Sequence, residues 1–216
     1  MNGCAAQSRK DQNTLEKFCG YCHRLYDRHL VSGVGGNMAL RSGGRIYLTP
    51  SGYSLGDVRP EKVVVFRNGQ TVPRDIPPTR DADMHLRILK SRKDIHAVCH
   101  VHGAPIVAVS TLLEPAPQSL PPLTPGFVYF AHPLPLLPFM VPGSEDLSKA
   151  VEKAFSGNTF RAVLLQNHGL ITLGRDFHEA INIAEEIHEA AQVYLLTHGT
   201  ARPIPQGDLG KIGRCY

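Results

Sequence analysis

No apolar run in the 216-residue sequence is long enough to cross a bilayer, which in helical form takes about 20 residues. The opening stretch "MNGCAAQSRKDQNTLEK" lacks the apolar centre of a secretory signal. The five cysteines are an odd number, spread along a chain large enough to bury a core unaided. They are read as reduced thiols, in a soluble protein of the cytoplasm with no membrane partner. Charge of one sign is scarce as well: 23 Lys and Arg face 19 Asp and Glu, scattered along the chain. The densest basic run, Arg87, Lys90, Arg92 and Lys93, closes a predicted helix, where cations complement the helix dipole and face water. Nucleic acid is therefore not an expected partner, and the small basic excess is merely compatible with a small anionic substrate. Internal repeats are absent too, and with 42% hydrophobic residues the chain is expected to form one globular domain over residues 1–216, with 1–10 as a flexible tail.

What is present is a mixture of helical and extended periods. Leu15, Phe18, Cys22, Leu25 and Tyr26 predict a helix from about Asp11 to Leu30, broken by "GVGG". "NMALR", "RIYLT" and "KVVVFR" read as strands of an antiparallel sheet. Met84, His85, Ile88 and Leu89 form the apolar stripe of a helix over 81–93, followed by the strand "HAVCHVH" and a helix at "PIVAVSTLL". The proline-rich stretch 115–142 is interleaved with apolar residues such as "FVYF", so it reads as ordered, packed loop with short strands rather than linker. Ser144 is placed to cap the helix "EDLSKAVEKAF"; the strands "RAVLLQNH" and "LITLG" and a long helix over 176–197 complete the chain. This order of elements gives a mixed α/β or α+β domain with a central sheet.

Three histidines crowd "DIHAVCHVHG". On a strand His96, His100 and His102 share a face. His100 and His102 are about 6.6 Å apart along it, near enough to converge on one ion, whereas His96 is about 13 Å from His100. A His-x-His pair can equally be two surface residues. A third ligand is needed, and "QNHGLITLG" offers His168, which alone could be a loop histidine. Three imidazoles would leave a metal an open position, as in catalytic zinc sites.

"GVGGNMALR", "LTPSG", "PPTRDADMH", "AVCHVHG" and "LLQNHGLITLG" stand in the order and near the separations found in the class II aldolase/adducin superfamily. The resemblance covers about Asp11 to Thr200. It implies a single three-layer domain of class II aldolase type, with a mostly antiparallel central sheet flanked by helices. It implies one divalent ion per subunit, zinc before manganese, cobalt or magnesium, on His100, His102 and His168. It implies a lyase that breaks carbon–carbon bonds through a metal-stabilised enediolate, as aldolase or decarboxylase, on a small phosphorylated or carboxylated sugar-like substrate.

The family's catalytic acid/base lies four residues before a helical histidine, which points to His85 and then Asp81. Aldolases usually carry Glu there; the ribulose-phosphate 4-epimerase branch resembles this chain in having Asp. The family's phosphate cradle maps to Gly36, Asn37, Ser51 and Gly52, and to Thr79 and Arg80 where the aldolases have two serines. Arg80, "TPSGYSLGDVRPE" and the stretch from Pro121 to Asp146 resemble the 3-oxo-tetronate 4-phosphate decarboxylases more closely, and the aldolase tyrosine near the leaving group has no match in "LTPG". Family members are usually homotetramers with sites between subunits, which makes Tyr216 a weaker candidate for a neighbour's site.

Competing readings are an epimerase or a dehydratase of the same superfamily, or a non-catalytic adducin-like binding module. "CGYCH" has the spacing of haem attachment but falls within a helical stripe. His178, His188 and His198 recur every ten residues, about 15 Å per step on a helix, as solvated residues would.

Overall fold

The computed structural model describes residues 2–67, 70–71, 76–157 and 160–212. Helix α1 (Asn2–Asp27) leads into strands β1 (Asn37–Ser42), β2 (Arg45–Leu48), β3 (Val64–Arg67) and β4 (Gln70–Thr71). Then follow α2 (Ala82–Ser91), β5 (Ala97–Val101), α3 (Ala104–Leu112), α4 (Pro125–Ala131), β6 (Leu136–Leu137), α5 (Glu145–Phe155), β7 (Ala162–Leu165), β8 (Gly169–Gly174), α6 (Phe177–Leu196) and α7 (Gln206–Ile212). The strands form one sheet in the order β4-β3-β2-β1-β5-β8-β7-β6. Every pairing is antiparallel except β6 with β7.

Strand alternation divides the core between the two faces of this sheet. Cys99 and Val101 of β5 point to one side, into a cluster with Phe18, Leu25, Phe127 and Ile181 from α1, α4 and α6. Val98 points to the other, among Met84, Ile88, Leu147, Val151 and Phe155 from α2 and α5. Helices, sheet and helices make the three layers. Phe18, Phe127 and Phe155 are fully buried, each worth roughly 1.5–3 kcal/mol in surface removed from water.

Local chemistry sets several boundaries as expected. Gly43 and Gly44, at φ 58° and 74°, form the two-residue turn between β1 and β2, a backbone that glycine adopts freely. Ser144 accepts the Leu147 N–H at 3.1 Å and so caps α5, while Asp176 caps α6 by accepting from Glu179 N–H at 2.8 Å.

Other boundaries differ. Helix α1 begins at Asn2 rather than Asp11, so most of the stretch expected as a tail carries helical backbone. "FVYF" lies in α4, not in a strand: Thr124 caps the Phe127 N–H, and Pro125 occupies the first turn, where its missing N–H costs nothing. Helix α7 was not expected from the sequence. Among the described residues, no helix is long and apolar enough to cross a membrane, and Cys19, Cys22 and Cys99 are buried free thiols. The first two face the core from α1, and His23 is bonded to the Val58 carbonyl at 2.9 Å, so packing accounts for "CGYCH".

Candidate metal centre

The end of β5 delivers His100 and His102, and the β7–β8 hairpin delivers His168. His100 Nε2 lies 2.9 Å from His102 Nε2 and 3.2 Å from His168 Nε2. His96, in contrast, is exposed. Two imidazoles on a tetrahedral ion at about 2.05 Å would have nitrogens roughly 3.3 Å apart, so the spacing fits a metal-sized point. Tautomers fit as well: His100 Nδ1 is 3.1 Å from the Leu170 carbonyl and donates to it, leaving the Nε2 lone pair turned toward its neighbours. Burial, with the other two imidazoles close by, holds His100 well below its ordinary pKa. Burial also lowers His102, to about 4, and depresses His168. All three are therefore neutral near pH 7, the charge state a metal ligand requires, and His100 turns a bare Nε2 toward the other two rings.

Two backbone features bring the rings together. The positive φ of the hairpin belongs to Asn167 (55°), not to Gly169, whose requirement is space. A Cβ at Gly169 would lie 2.4 Å from the Val101 carbonyl oxygen and 2.6 Å from His102 Cδ2. Gly36, at φ 78°, brings the loop before β1 against Val31 and the His100 carbonyl in the same way.

Asp81 sits at the N-cap of α2, yet its side chain makes no capping bond. Its carboxylate turns inward, accepting from Asn37 Nδ2 at 2.7 Å and lying 3.9 Å from His100 Nε2. The β1–β5 register explains the neighbour, for Asn37 pairs across the ladder with His100. Asp83 instead faces outward and ion-pairs with Arg87 at 2.7 Å.

A cleft of about 290 Å³ opens over this group. Gly36, Asn37, Ser51, Gly52, Thr79, Arg80 and Asp81 all line it, together with His102 and His168, while His100 is fully buried and does not line it. Val34, Gly35, Pro50 and Pro142 also line it; none carries a side-chain functional group that sequence reasoning could have singled out. Arg80 lays its aliphatic stem against Gly143, and its guanidinium makes no hydrogen bond or ion pair among the described residues. Tyr216 lies outside the described residues. His178, His188 and His198 do not converge: among the described residues His100, His102 and His168 are the one group of ligand-type side chains that could hold a metal ion.

Residues 16–195 match the Class II Aldolase and Adducin N-terminal domain, and the chain belongs to that family. It is 33% identical over 180 residues to an L-fuculose phosphate aldolase of Methanococcus maripaludis, covering 83% of this chain and 94% of the relative. It is 29% identical over 179 residues to a 3-oxo-tetronate 4-phosphate decarboxylase of Haemophilus influenzae, covering 81% and 83%. Among solved structures, YgbL of Escherichia coli superposes with TM-score 0.86 at 25% identity, over 94% of this chain and 99% of that one. An L-fuculose 1-phosphate aldolase superposes with TM-score 0.82 at 26% identity, over 94% and 95%. The protein is thus an enzyme of the lyase type that this family defines, and class II aldolases use a divalent metal.

Proposed function

We propose that this protein cleaves a carbon–carbon bond in a small, anionic, sugar-like ketone, as an aldolase or a decarboxylase, with one divalent ion, zinc first, on His100, His102 and His168. The observation that carries the reading is the convergence of three neutral imidazoles beside a carboxylate, in a cleft whose rim holds a guanidinium with no partner among the described residues. A divalent ion there supplies Lewis acidity toward a carbonyl oxygen. Asp81 is the proton carrier: Oδ2 is held by Asn37, which leaves Oδ1 to take or deliver a proton at the substrate. Ser51, Gly52, Thr79 and Gly36 line the recess for the anionic end, and the planar fork of Arg80 suits a phosphate or carboxylate at its mouth. Small-ligand binding energy is then directed to orientation.

The test is metal content by mass spectrometry on wild type beside His100→Ala and His168→Ala, each confirmed folded by circular dichroism. Near one ion per chain, lost in both variants, supports the triad. No ion in wild type, even after incubation with zinc or manganese, sinks the lyase mechanism. Product analysis on phosphorylated ketoses and 3-oxo acid phosphates then separates aldehyde release from carbon dioxide release. The 4-epimerase reading draws on Asp81 standing where the aldolases have Glu, and conserved carbon number in the product would select it. We extend the proposal to a cytoplasmic homotetramer with sites between subunits, which exposed Val34, Phe139 and Val141 would suit as contact residues; light scattering reads the mass.

A further inference from the structure

His85 is fully buried on α2, among Met84, Ile88 and Leu89, where an aliphatic residue would satisfy the packing at no polar cost. Its Nε2 bonds to Asn37 Oδ1, and Asn37 Nδ2 bonds to Asp81 Oδ2 at 2.7 Å. The directions follow from the donor inventory. An ionised carboxylate only accepts, so the Asn37 amide presents N–H to Asp81 and its carbonyl oxygen to His85. That oxygen also only accepts, so His85 carries its proton on Nε2. A neutral imidazole then has a bare Nδ1, and His85 Nδ1 is buried with no hydrogen-bond partner. Burial favours this neutral form, lowering the imidazole to about 4 against the opposing pull of Asp81.

We infer that His85 is a positioning residue: it fixes the orientation of the Asn37 amide, which in turn holds the Asp81 carboxylate over the cleft. Without it, a rotated Asn37 would set its carbonyl oxygen against the carboxylate, and Asp81 would lose both its donor and its fixed direction. This rests on the reading of Asp81 as proton carrier.

The experiment compares the full-length, metal-loaded wild type with His85→Leu, His85→Gln, Asn37→Ala and His85→Leu/Asn37→Ala. Gln can place an N–H where His85 Nε2 stands, whereas Leu fills the space without a donor. The expected result is that His85→Leu lowers kcat by about tenfold to a hundredfold, the cost of a misplaced catalytic group, with KM unchanged. His85→Gln should restore most of that loss, and adding His85→Leu to Asn37→Ala should cost nothing more. A purely structural role predicts the opposite order, with Leu better tolerated than Gln, and that order overturns the inference, as does additivity of the two substitutions. A readout independent of turnover is ¹⁵N NMR at pH 7.5. The Nε2–H tautomer of His85 and a slowly exchanging Asn37 amide that is lost in His85→Leu support the relay. The Nδ1–H tautomer, or an Asn37 amide indifferent to residue 85, overturns it. If wild type turns over no phosphorylated ketose or 3-oxo acid phosphate, the lyase reading fails, while the NMR result still decides the relay.

Discussion

Acid should destabilise the metal-free protein well before its carboxylates titrate. His85 and His102 are held neutral by burial, with pKa values lowered from 6.5 to about 4. Above pH 6.5 neither residue distinguishes the folded from the unfolded chain. As pH falls through 6.5 the unfolded chain takes up protons that the folded one refuses until about pH 4, so stability drops across that window. Between pH 7 and pH 5 the linkage relation gives about 2 kcal/mol for fully buried His85 and somewhat less for His102, which touches solvent, or about 3 kcal/mol together. His100 and His168, shifted in the same direction, deepen the loss. Set against a total stability of roughly 5–15 kcal/mol, this is a large fraction. Urea unfolding followed by circular dichroism, on chelator-treated protein at pH 7 and pH 5, reads it directly. His102→Gln should shrink the difference by about 1–2 kcal/mol. Equal stability at the two pH values would refute the claim that the fold holds these imidazoles neutral. Metal loading should flatten the pH dependence, since a bound ion competes with protons for the same nitrogens.

Two further outcomes follow from the same geometry. Gly169→Ala puts a methyl 2.4 Å from the Val101 carbonyl oxygen and against the His102 ring; overpacking of this kind costs about 1–3 kcal/mol, so thermal unfolding should show a lower Tm and mass spectrometry a loss of metal. Arg80→Ala, which removes from the rim a cation with no partner among the described residues and disturbs nothing in the core, should raise KM for an anionic substrate by about tenfold or more without changing Tm, and an unchanged KM would remove Arg80 from the site.

How much of this was legible in the sequence depends on the range of the cause. Some boundaries were readable because their chemistry is local: the Ser144 cap and the Gly43–Gly44 turn act within four residues of where they stand. Strand parity placed His100 and His102 on one face, and the rise per residue set His96 aside. Helix α4 escaped notice although Thr124 and Pro125 mark its start, because the surrounding prolines read as loop and the aromatic run has a strand-like composition. The early start of α1 was missed because residues 2–10 have no clear apolar stripe to announce a helix.

Long-range pairing decided the rest. Asn37 looked like one more polar residue beside a glycine loop, a place where an anion might be held. Its partner across the ladder is His100, and that register puts its amide between a carboxylate from the N-cap of α2 and an imidazole one turn further along the same helix. Likewise Gly169 has a backbone conformation open to other residues, and it is its small size that lets the third histidine's hairpin close on the first two. In both cases residue type gave the chemistry, and only the pairing of β1, β5, β8 and β7 determined which chemistry was used. A glycine or asparagine is best assigned by asking which atoms its neighbours leave available: at Asn37 the carbonyl oxygen faces His85 and one amide N–H faces Asp81, and a second N–H remains.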